Sequence, residues 1–272
     1  MSGRDRLKAR YGPWAVVTGA SDGIGREFAI KAAEGGLNVV LIARRGLELK
    51  ALAVELRSDY DVECRVLAFD LGIPSTVESI AAATGDIDVG LLVAAAGFGT
   101  SGSFLEVDVS HELNMVDVNC RSLVELTHVF ARRMAERRRG GIVLMSSLVA
   151  FQGVPRASTY SATKAFVQVL AEGIRHELKP FGVDVIASAP GPIETGFGGR
   201  AEMTMGMSQE PEVVAAETLA ALGRKGTVRP GWLGKLLEGS LAPLPRRART
   251  LIMKQVMAGM AKPPGGGVGS RT

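Results

Sequence analysis

The stretch Thr18-Gly19-Ala20-Ser21-Asp22-Gly23-Ile24-Gly25 lies between an apolar run at residues 14–17 and an amphipathic segment at residues 25–33. Short aliphatic runs are typical of buried strands, and apolar residues at helical spacing are typical of helices that pack on them. Glycines between a strand and a helix let the backbone turn tightly and approach a pyrophosphate at the helix N-terminus. The stretch therefore predicts a dinucleotide-binding loop, and a turn that merely joins the two elements is the alternative.

Strand and helix patterns alternate along most of the chain. Further apolar runs typical of buried strands lie at residues 37–43, 62–69, 89–95, 141–145, 183–189 and 227–229. Helical periodicity lies at residues 48–57, 76–83, 113–133, 160–178 and 211–222. This alternation predicts a Rossmann-type α/β fold, in which a doubly wound parallel sheet of six to seven strands carries helices on both faces. Ligands of such sheets bind at the carboxyl ends of the strands.

One domain accounts for most of the length. A chain of 272 residues, of which 46% are hydrophobic, commonly forms a single α/β core. We predict a dinucleotide-binding and catalytic domain over residues 1–230, an apolar extension over residues 231–262 and a disordered tail over residues 263–272. The extension packs on its own domain or a sister subunit, covers an apolar substrate as a lid, or attaches to a membrane surface, and these alternatives stay open. Residues 196–206, rich in glycine and methionine, are interpreted as a mobile flap over the substrate cleft.

Composition and charge exclude several classes of partner. The formal net charge is +4, but the basic residues are dispersed, so we do not expect binding of nucleic acid. Residues 1–11 lack the apolar stretch of a signal peptide, and no segment reaches about 20 apolar residues, so we expect a cytoplasmic protein that does not span a membrane. Cys64, Cys120 and the three histidines show no metal-ligand spacing, so we expect two buried thiols in a reducing compartment and no metal.

The second predicted strand ends in Ala43-Arg44-Arg45. An NAD-selective Rossmann protein usually has an acidic residue here, which binds the ribose hydroxyls. An arginine at this point binds a 2′-phosphate and stacks on adenine. The sequence therefore favours NADP(H) over NAD(H), with Arg44 as the first choice for the contact. The alternative is that Arg44, Arg45 or both face solvent at the start of the next helix.

Several polar residues are candidates for proton transfer. Tyr160 and Lys164 lie four residues apart, which places both on one face of a helix. A phenol has a pKa of about 10, and a neighbouring ammonium favours the phenolate, so the pair is a candidate acid or base; an ordinary amphipathic surface is the alternative. Ser146 and Ser147 end the fifth strand, where either hydroxyl is a candidate to bind a substrate oxygen. Asn119 interrupts an apolar helical segment, which calls for a reason because asparagine is a poor helix former.

The segment Pro190-Gly191-Pro192 follows the sixth predicted strand. The two prolines restrict the direction in which the chain leaves the strand, and the glycine permits close approach to a flat ring. The segment is therefore a candidate border of a planar ligand, and an ordinary turn is the alternative.

These motifs, in this order, resemble those of the short-chain dehydrogenase/reductase family. The resemblance rests on Thr-Gly-three residues-Gly-Ile-Gly at residues 18–25 and on Tyr-three residues-Lys at residues 160–164, and it spans residues 14–222. Residues 18–45 are most similar to members that reduce steroid-like ketones or long-chain 3-ketoacyl thioesters. The resemblance implies a homodimer or homotetramer that transfers a hydride between NADP(H) and a carbonyl or secondary alcohol of a hydrophobic substrate. An isomerase, epimerase or lyase with a retained cofactor, and a non-catalytic NADP(H) sensor, are the alternatives.

The resemblance assigns roles to four catalytic residues. Tyr160 is the general acid/base, and Lys164 lowers its pKa. The catalytic serine of the family lies thirteen residues before the tyrosine, which selects Ser147 to orient the substrate oxygen and leaves Ser146 as a strand-end residue. Asn119 completes the tetrad and helps to position a water near the lysine for proton relay.

The resemblance also implies the cofactor contacts. Asp70 is expected to contact adenine, and the segment that follows the sixth strand is expected to border nicotinamide. The chain departs from the Asn-Asn-Ala-Gly motif of the family, because Ala94 and Ala95 replace both asparagines, so the turn that ends at Gly97 must be stabilised in another way. The predicted cofactor contacts are Gly19, Ser21, Asp22, Gly23, Ile24, Gly25, Arg44, Arg45, Asp70, Leu71, Ala95, Gly97, Tyr160, Lys164, Pro190, Gly191, Ile193 and Thr195.

Overall fold

The structure, a computed structural model, describes residues 3–193, 209–231 and 244–260, with the side chains of residues 6 to 255 within those ranges. The described strands are β1 (Trp14–Thr18), β2 (Asn38–Ala43), β3 (Cys64–Ala68), β4 (Val89–Ala94), β5 (Gly140–Met145), β6 (Val183–Ser188) and β7 (Thr227–Val228). They form one sheet in the order β3-β2-β1-β4-β5-β6-β7, and every pairing in it is parallel. The predicted doubly wound parallel sheet is therefore confirmed, including its short seventh strand.

Helices connect the strands and cover both faces of the sheet. The described α-helices are α1 (Gly3–Tyr11), α2 (Gly23–Glu34), α3 (Gly46–Tyr60), α4 (Thr76–Ala83), α5 (Val109–Val116), α6 (Ser122–Glu136), α7 (Ser158–Leu178), α8 (Pro211–Ala221) and α9 (Arg246–Met260). A π-helical turn (Asp117–Arg121) joins α5 to α6, and 3-10 turns (Leu148–Phe151 and Lys179–Phe181) precede and follow α7. The helical segment predicted at residues 113–133 is thus interrupted, and the interruption contains Asn119.

Two hydrophobic cores lie on opposite faces of the sheet, because side chains alternate along each strand. On one face Phe28 of α2 is fully buried with Val17 of β1. On the other face Phe130 of α6 and Val167 of α7 are fully buried with Val16 of β1. Each such side chain stabilises the fold by about 1.5–3 kcal/mol. The two cores therefore hold the carboxyl ends of the strands in fixed positions.

The strand order reverses at the centre of the sheet, between β1 and β4. After β1 the chain forms β2 and β3 on one side, and it then crosses back to form β4 on the other side. The loops that follow β1 and β4 therefore diverge and open a crevice at the carboxyl ends of the strands. At the base of this crevice the two strand ends are tied together, since Thr18 Oγ1 accepts a hydrogen bond from Ala96 N at 2.9 Å.

Hydrophobic periodicity did not indicate the N-terminal helix α1. Its buried contact lies at its last residue, Tyr11, which is 1% exposed. The Tyr11 hydroxyl donates to Asp184 Oδ2 of β6 at 2.8 Å, and Arg10 pairs with the same carboxylate at 2.6 Å. A Cβ at Gly141 would lie 2.8 Å from the tyrosine ring, so the glycine makes room for it. Helix α1 thus covers the end of the sheet opposite the crevice.

Helix α9 lies in the predicted C-terminal extension and packs on its own domain. Met253 packs against Val154 and Ala157, which belong to the segment between β5 and α7. Leu251 and Ile252 of the same helix are exposed. The described part of the extension therefore lies next to the segment that leads into α7.

Two predicted segments, the flap at residues 196–206 and the tail at residues 263–272, lie outside the described residues. Residues 232–243 of the predicted extension also lie outside them. Among the helices that the structure describes, none combines the length and the apolar character needed to cross a membrane.

The hydrogen bond of Tyr11 generates a prediction about stability. Tyr11→Phe keeps the ring packing but removes a donor to a charged acceptor, so we expect the free energy of unfolding to fall by about 1–2 kcal/mol. Urea denaturation at neutral pH measures this change. Tyr60→Phe is the matched control, since the Tyr60 hydroxyl has no hydrogen-bond partner within the described ranges. An equal loss in both variants would contradict a specific role for the bond to Asp184.

Candidate active site

The loop between β1 and α2 has the backbone geometry that a pyrophosphate requires. Gly19 and Gly23 have φ angles of +69° and +56°, in the left-handed region that favours glycine. A Cβ at Gly25 would lie 2.3 Å from the carbonyl oxygen of Gly19, so only glycine allows the close turn. Asp22, which precedes α2, makes no side-chain capping hydrogen bond, and the first amides of α2 remain for another acceptor. The loop therefore fits the pyrophosphate of a dinucleotide.

The two arginines that follow β2 lie at the edge of this loop. Arg45 donates from Nε and Nη2 to Ser21 Oγ at 3.2 and 3.1 Å, and it pairs with Asp22 at 3.5 Å. The Arg44 side chain is 66% exposed, and its ion pair with Asp70 is loose, at 3.9 Å. Arg45 is thus held against the glycine loop, whereas Arg44 can reorient towards a phosphate at low cost.

The end of β3 places Asp70 at the same edge of the sheet. Its Oδ1 accepts from Gly72 N at 2.9 Å, and its carbonyl accepts from Thr76 Oγ1 at 2.7 Å, so the turn fixes the orientation of the carboxylate. Leu71, by contrast, is buried in the core. Only the main chain of Leu71 therefore remains available to a ligand, while Asp70 lies beside Arg44.

The turn after β4 takes its side-chain hydrogen bonds from outside the Ala94-Ala95 pair. Asn119 Oδ1 accepts from Phe98 N at 3.1 Å, and Asn119 Nδ2 donates to Phe98 O at 2.9 Å. A Cβ at Gly97 would lie 2.9 Å from Asn119 Oδ1 and 3.4 Å from Lys164 Nζ, so this position leaves little space for a side chain. Asn119 and the hydroxyl of Thr18 thus stabilise the turn in place of the two missing asparagines.

Asn119 is oriented by a neighbour on α7 that sequence reasoning missed. Its Nδ2 also donates to Thr163 Oγ1 at 3.1 Å, and both residues are buried. The Thr163 hydroxyl donates its own proton to Tyr160 O at 2.8 Å. The Thr163 hydroxyl can therefore only accept a hydrogen bond from Asn119. The Nδ2 group of Asn119 must then face Thr163, and its Oδ1 must face away from it. Thr163 lies inside the motif at residues 160–164, so its place next to Lys164 was the available signal.

Three hydrogen bonds connect the end of β5 to the start of α7. Lys164 Nζ donates to Met145 O at 2.9 Å, and Ser146 Oγ donates to Lys164 O at 3.1 Å. The Ser147 hydroxyl is hydrogen-bonded to the phenol of Tyr160. The structure therefore separates the two serines: Ser146 is buried against the main chain of α7, whereas Ser147 reaches the phenol.

Burial dominates the protonation of Tyr160 and Lys164. It raises the pKa of Tyr160 to about 12, which the hydrogen bond with Ser147 partly opposes. It lowers the pKa of Lys164 to about 8. Lys164 Nζ lies 5.8 Å from the centroid of the tyrosine ring. At neutral pH the phenol is therefore protonated and the amine is mostly charged.

The segment after β6 borders the 3-10 turn that follows Ser147. Pro190 O accepts from Leu148 N at 3.0 Å, which ties the two segments together. Ile193 is buried and forms an isolated parallel bridge with Gln209. Gly191 lies between these two contacts in the chain. The predicted contact at Thr195 lies outside the described residues.

The two cysteines are free thiols, and both are partly buried rather than fully buried as the sequence-based expectation had it. Burial raises the pKa of both, that of Cys120 to about 11, so both are protonated at neutral pH. In the part of the chain that the structure describes, no three His, Cys, Asp or Glu side chains group in a way that could hold a metal ion.

Three known proteins show what this chain is similar to. A very-long-chain 3-oxoacyl-CoA reductase of Meyerozyma guilliermondii is 40% identical over 188 residues, which are 65% of this chain and 55% of the reductase. A 7beta-hydroxysteroid dehydrogenase of Collinsella aerofaciens is 30% identical over 236 residues, which are 84% of this chain and 90% of the dehydrogenase. A short-chain dehydrogenase from Sphingobium yanoikuyae, solved in complex with NADPH, superposes with a TM-score of 0.77 at 27% identity, over 94% of this chain and 99% of that chain. The chain thus spans about half the length of the reductase that it matches.

The sequence profile described as short chain dehydrogenase matches residues 13–205. This range contains the glycine loop, the crevice between β1 and β4, and the motif at residues 160–164. The match covers well over half of the 272 residues. The chain therefore belongs to the short-chain dehydrogenase family.

Proposed function

We propose that this chain is an NADP(H)-dependent oxidoreductase that transfers a hydride between the nicotinamide and a carbonyl or secondary alcohol of a hydrophobic substrate. The observation that carries the proposal is the set of three hydrogen bonds between the end of β5 and the start of α7. These bonds fix Tyr160 and Lys164 near the glycine loop. A Cβ at Gly97 would lie 3.4 Å from Lys164 Nζ, and a Cβ at Gly19 would lie 3.0 Å from the main chain of Ala96, the residue before Gly97.

The residues at the crevice fit NADP(H), which supplies a hydride to a carbonyl carbon or accepts one from an alcohol carbon. Residues 19–25 would hold the pyrophosphate, because a Cβ at Gly25 would close the turn. Arg44 and Arg45 would hold the 2′-phosphate, with Asp70 towards adenine. The likeness to a short-chain dehydrogenase solved with NADPH supports this assignment.

The chemistry of the chain itself is proton transfer. In reduction, Tyr160 donates its phenolic proton to the carbonyl oxygen as negative charge develops there. The Ser147 hydroxyl donates a hydrogen bond to the same oxygen and orients it. The Lys164 ammonium offsets the charge left on the phenolate. The Lys164 ammonium group has three N–H donors, and one of them bonds to Met145 O. The other two remain for the ribose of the cofactor and for the proton relay.

We also propose that Asn119 supports the proton relay. A Cβ at Gly97 would lie 2.9 Å from Asn119 Oδ1 and 3.4 Å from Lys164 Nζ. The amide oxygen therefore lies near the ammonium. Thr163 maintains this orientation through its hydrogen bond with Asn119 Nδ2.

A hydrophobic substrate is supported by the apolar surface at the carboxyl end of the sheet. Phe104 and Leu105, in the loop after β4, are 72% and 93% exposed. Met253 of α9 packs in the cluster that includes Tyr160. Exposed aromatic and aliphatic side chains next to a polar centre are typical of sites for apolar ligands. The names of the two relatives, a 3-oxoacyl-CoA reductase and a hydroxysteroid dehydrogenase, agree with this substrate class.

Exposed apolar side chains on α5 and α7 support assembly with a second copy of the chain. Leu113 and Val116 lie three residues apart on α5, and Phe166 and Val169 lie three residues apart on α7, so each pair shares a helix face. The two helices pack against each other. We therefore propose a homodimer or homotetramer. The two free thiols support a location in the reducing cytoplasm.

The role of Tyr160 generates a prediction about turnover. Tyr160→Phe keeps the ring but removes the proton donor, so turnover of ketones should fall by roughly 100-fold or more while NADPH still binds. Turnover is followed by nicotinamide absorbance and binding by calorimetry. Ser147→Ala should also lose turnover, whereas Ser146→Ala, the matched control, should lower stability more than turnover. Near-normal turnover of Tyr160→Phe would reject Tyr160 as the acid/base.

The arginines after β2 generate a prediction about cofactor choice. A charged hydrogen bond to a phosphate contributes about 1.5–3 kcal/mol, which is roughly tenfold or more in affinity. Arg44→Ala should therefore weaken the binding of NADPH much more than the binding of NADH. The same measurement on Arg45→Ala shows whether both arginines contact the 2′-phosphate. Arg57→Ala is the control, since the one hydrogen bond of the Arg57 side chain among the described residues is to Cys64 O, at 2.7 Å. If the wild-type protein bound NADPH and NADH equally tightly, and neither substitution changed the ratio of the two affinities, the assignment of the arginines to the 2′-phosphate would be wrong.

The lowered pKa of Lys164 generates a prediction about pH. The amine is charged below its pKa of about 8 and neutral above it, while Tyr160 keeps its proton to about 12. For ketone reduction, kcat/KM for NADPH reports the free enzyme. It should be constant below pH of about 7 and fall by up to about tenfold per pH unit above about 8. Lys164→Arg, whose charge does not titrate in this range, should lose this alkaline decrease; a wild-type profile that stays flat to high pH would contradict the role of the lysine.

A further inference from the structure

We propose that the substrate cleft contains a subsite for the anionic end group of an amphipathic ketone, and that Arg156 binds this group. The anion is a carboxylate or a phosphate at the end of an apolar chain or ring system. The inference rests on the proposed function, because it concerns which carbonyl compounds the same site accepts.

Arg156 lies in the loop that leads into the catalytic helix, four residues before Tyr160. Its carbonyl accepts a hydrogen bond from Gly102 N at 2.8 Å, which joins this loop to the loop after β4. The two loops follow the carboxyl ends of neighbouring strands, β4 and β5. The arginine therefore lies at the same end of the sheet as the phenol.

A pocket lies between these two loops. Its apolar lining residues include Phe104 and Val107, and its polar lining residues include Thr100, Thr159 and Arg156. Ala157, which also lines the pocket, packs in the same small cluster as Tyr160. The pocket therefore adjoins the catalytic tyrosine, and it combines a surface for an apolar body with a cation for an end group.

The side chain of Arg156 has no hydrogen-bond or ion-pair partner among the described residues. Other arginines at this end of the sheet are engaged: Arg45 pairs with Asp22, and Arg229 lies 4.3 Å from the centroid of the Phe151 ring. A ligand that covers Phe104 displaces water from the pocket, and the lower local dielectric strengthens the attraction between the guanidinium and an anion. Arg156 is therefore available to a ligand.

The acidic residue of the pocket gives the subsite a direction. Glu112 lines the pocket, and its carboxylate accepts a hydrogen bond from Thr100 Oγ1. It repels an anion from its own wall, so the end group is expected on the side of Arg156. Neutral replacements of Glu112 and Arg156 should therefore have opposite effects on the binding of an anion.

The first experiment reads binding without chemistry. Calorimetry compares decanoate with methyl decanoate on NADP-loaded protein, since the two share an apolar chain and lack a ketone. We expect the acid to bind more tightly than the ester. Arg156→Gln should weaken the binding of the acid by about 5- to 20-fold and leave the binding of the ester unchanged. This is the effect expected for the loss of one charged hydrogen bond at a partly exposed site. Arg156→Lys should retain most of the preference, and Glu112→Gln should strengthen the binding of the acid.

The control is Arg138→Gln. Arg138 and Arg156 both have a left-handed backbone, at φ +53° and φ +69°, but the Arg138 side chain donates to Pro180 O away from the crevice. Equal binding of acid and ester by the unaltered protein would overturn the proposal. An effect of Arg156→Gln no larger than that of Arg138→Gln would overturn it as well.

The second experiment connects the subsite to catalysis. Oxo-fatty acids that carry the ketone at successive chain positions, and their methyl esters, are reduced with NADPH. For the acids kcat/KM should peak at one distance between ketone and carboxylate, and Arg156→Gln should remove the peak; the esters should show none. A peak that persists in Arg156→Gln would overturn the subsite while the reductase function stands. No turnover of any ketone, with intact selective binding of decanoate, would contradict the proposed function and leave the subsite supported.

Discussion

The buried ammonium group of Lys164 is the constraint on which the geometry of the site depends. Lys164 is 7% exposed, and its Nζ donates to Met145 O at the end of β5. A buried charge without a partner costs several kcal/mol, so α7 cannot rotate or slide along β5 without losing this bond. Ser146 reinforces the register by bonding to Lys164 O. Tyr160 lies one helical turn earlier, and its position follows from the burial of the lysine.

The space around Lys164 Nζ also constrains the turn after β4. Gly97 lies between Asn119 and Lys164 with little space for a side chain. Since Ala94 and Ala95 provide no polar side chain, the amide groups of this turn need partners elsewhere, and a buried amide without a partner would be costly. Asn119 bonds both the N–H and the carbonyl of Phe98. An extra residue in the helix, accommodated by the π-helical turn, directs the Asn119 side chain towards this task.

The strands were predictable from sequence because their burial depends on local composition. Val16 and Val17 are buried on opposite faces, so the run is apolar throughout and its type is evident. Helix α1 was not predictable in this way, because among its described side chains only Tyr11 is fully buried, while Leu7 packs against the core but is only partly buried. The π-helical turn depends on bonds of Asn119 to Phe98 and to Thr163, which are distant in sequence. Local periodicity contains no information on such contacts.

The candidate site likewise contains residues that were predictable from local sequence and residues that were not. The glycine loop was predictable because φ angles and the missing Cβ are properties of single residues. The choice between Ser146 and Ser147 was not open to composition, since neighbouring residues of one type differ only in direction. That direction is decided by α7, which buries one hydroxyl against Lys164 O and leaves the other for Tyr160. The resemblance to a family supplied this choice where residue chemistry alone left two candidates.

Burial of the acid/base pair also bears on the direction of the reaction. It favours the neutral form of Tyr160, which is the form that donates a proton to a carbonyl oxygen. In the function proposed above, this is the form of the phenol that ketone reduction would require across the neutral range. Oxidation needs the phenolate, and Lys164, whose own charge is disfavoured by burial, only partly offsets the cost of forming it. In the function proposed above, the cationic, oxidised nicotinamide would add a second positive charge beside the phenol, next to that of Lys164, whereas the neutral, reduced nicotinamide would not.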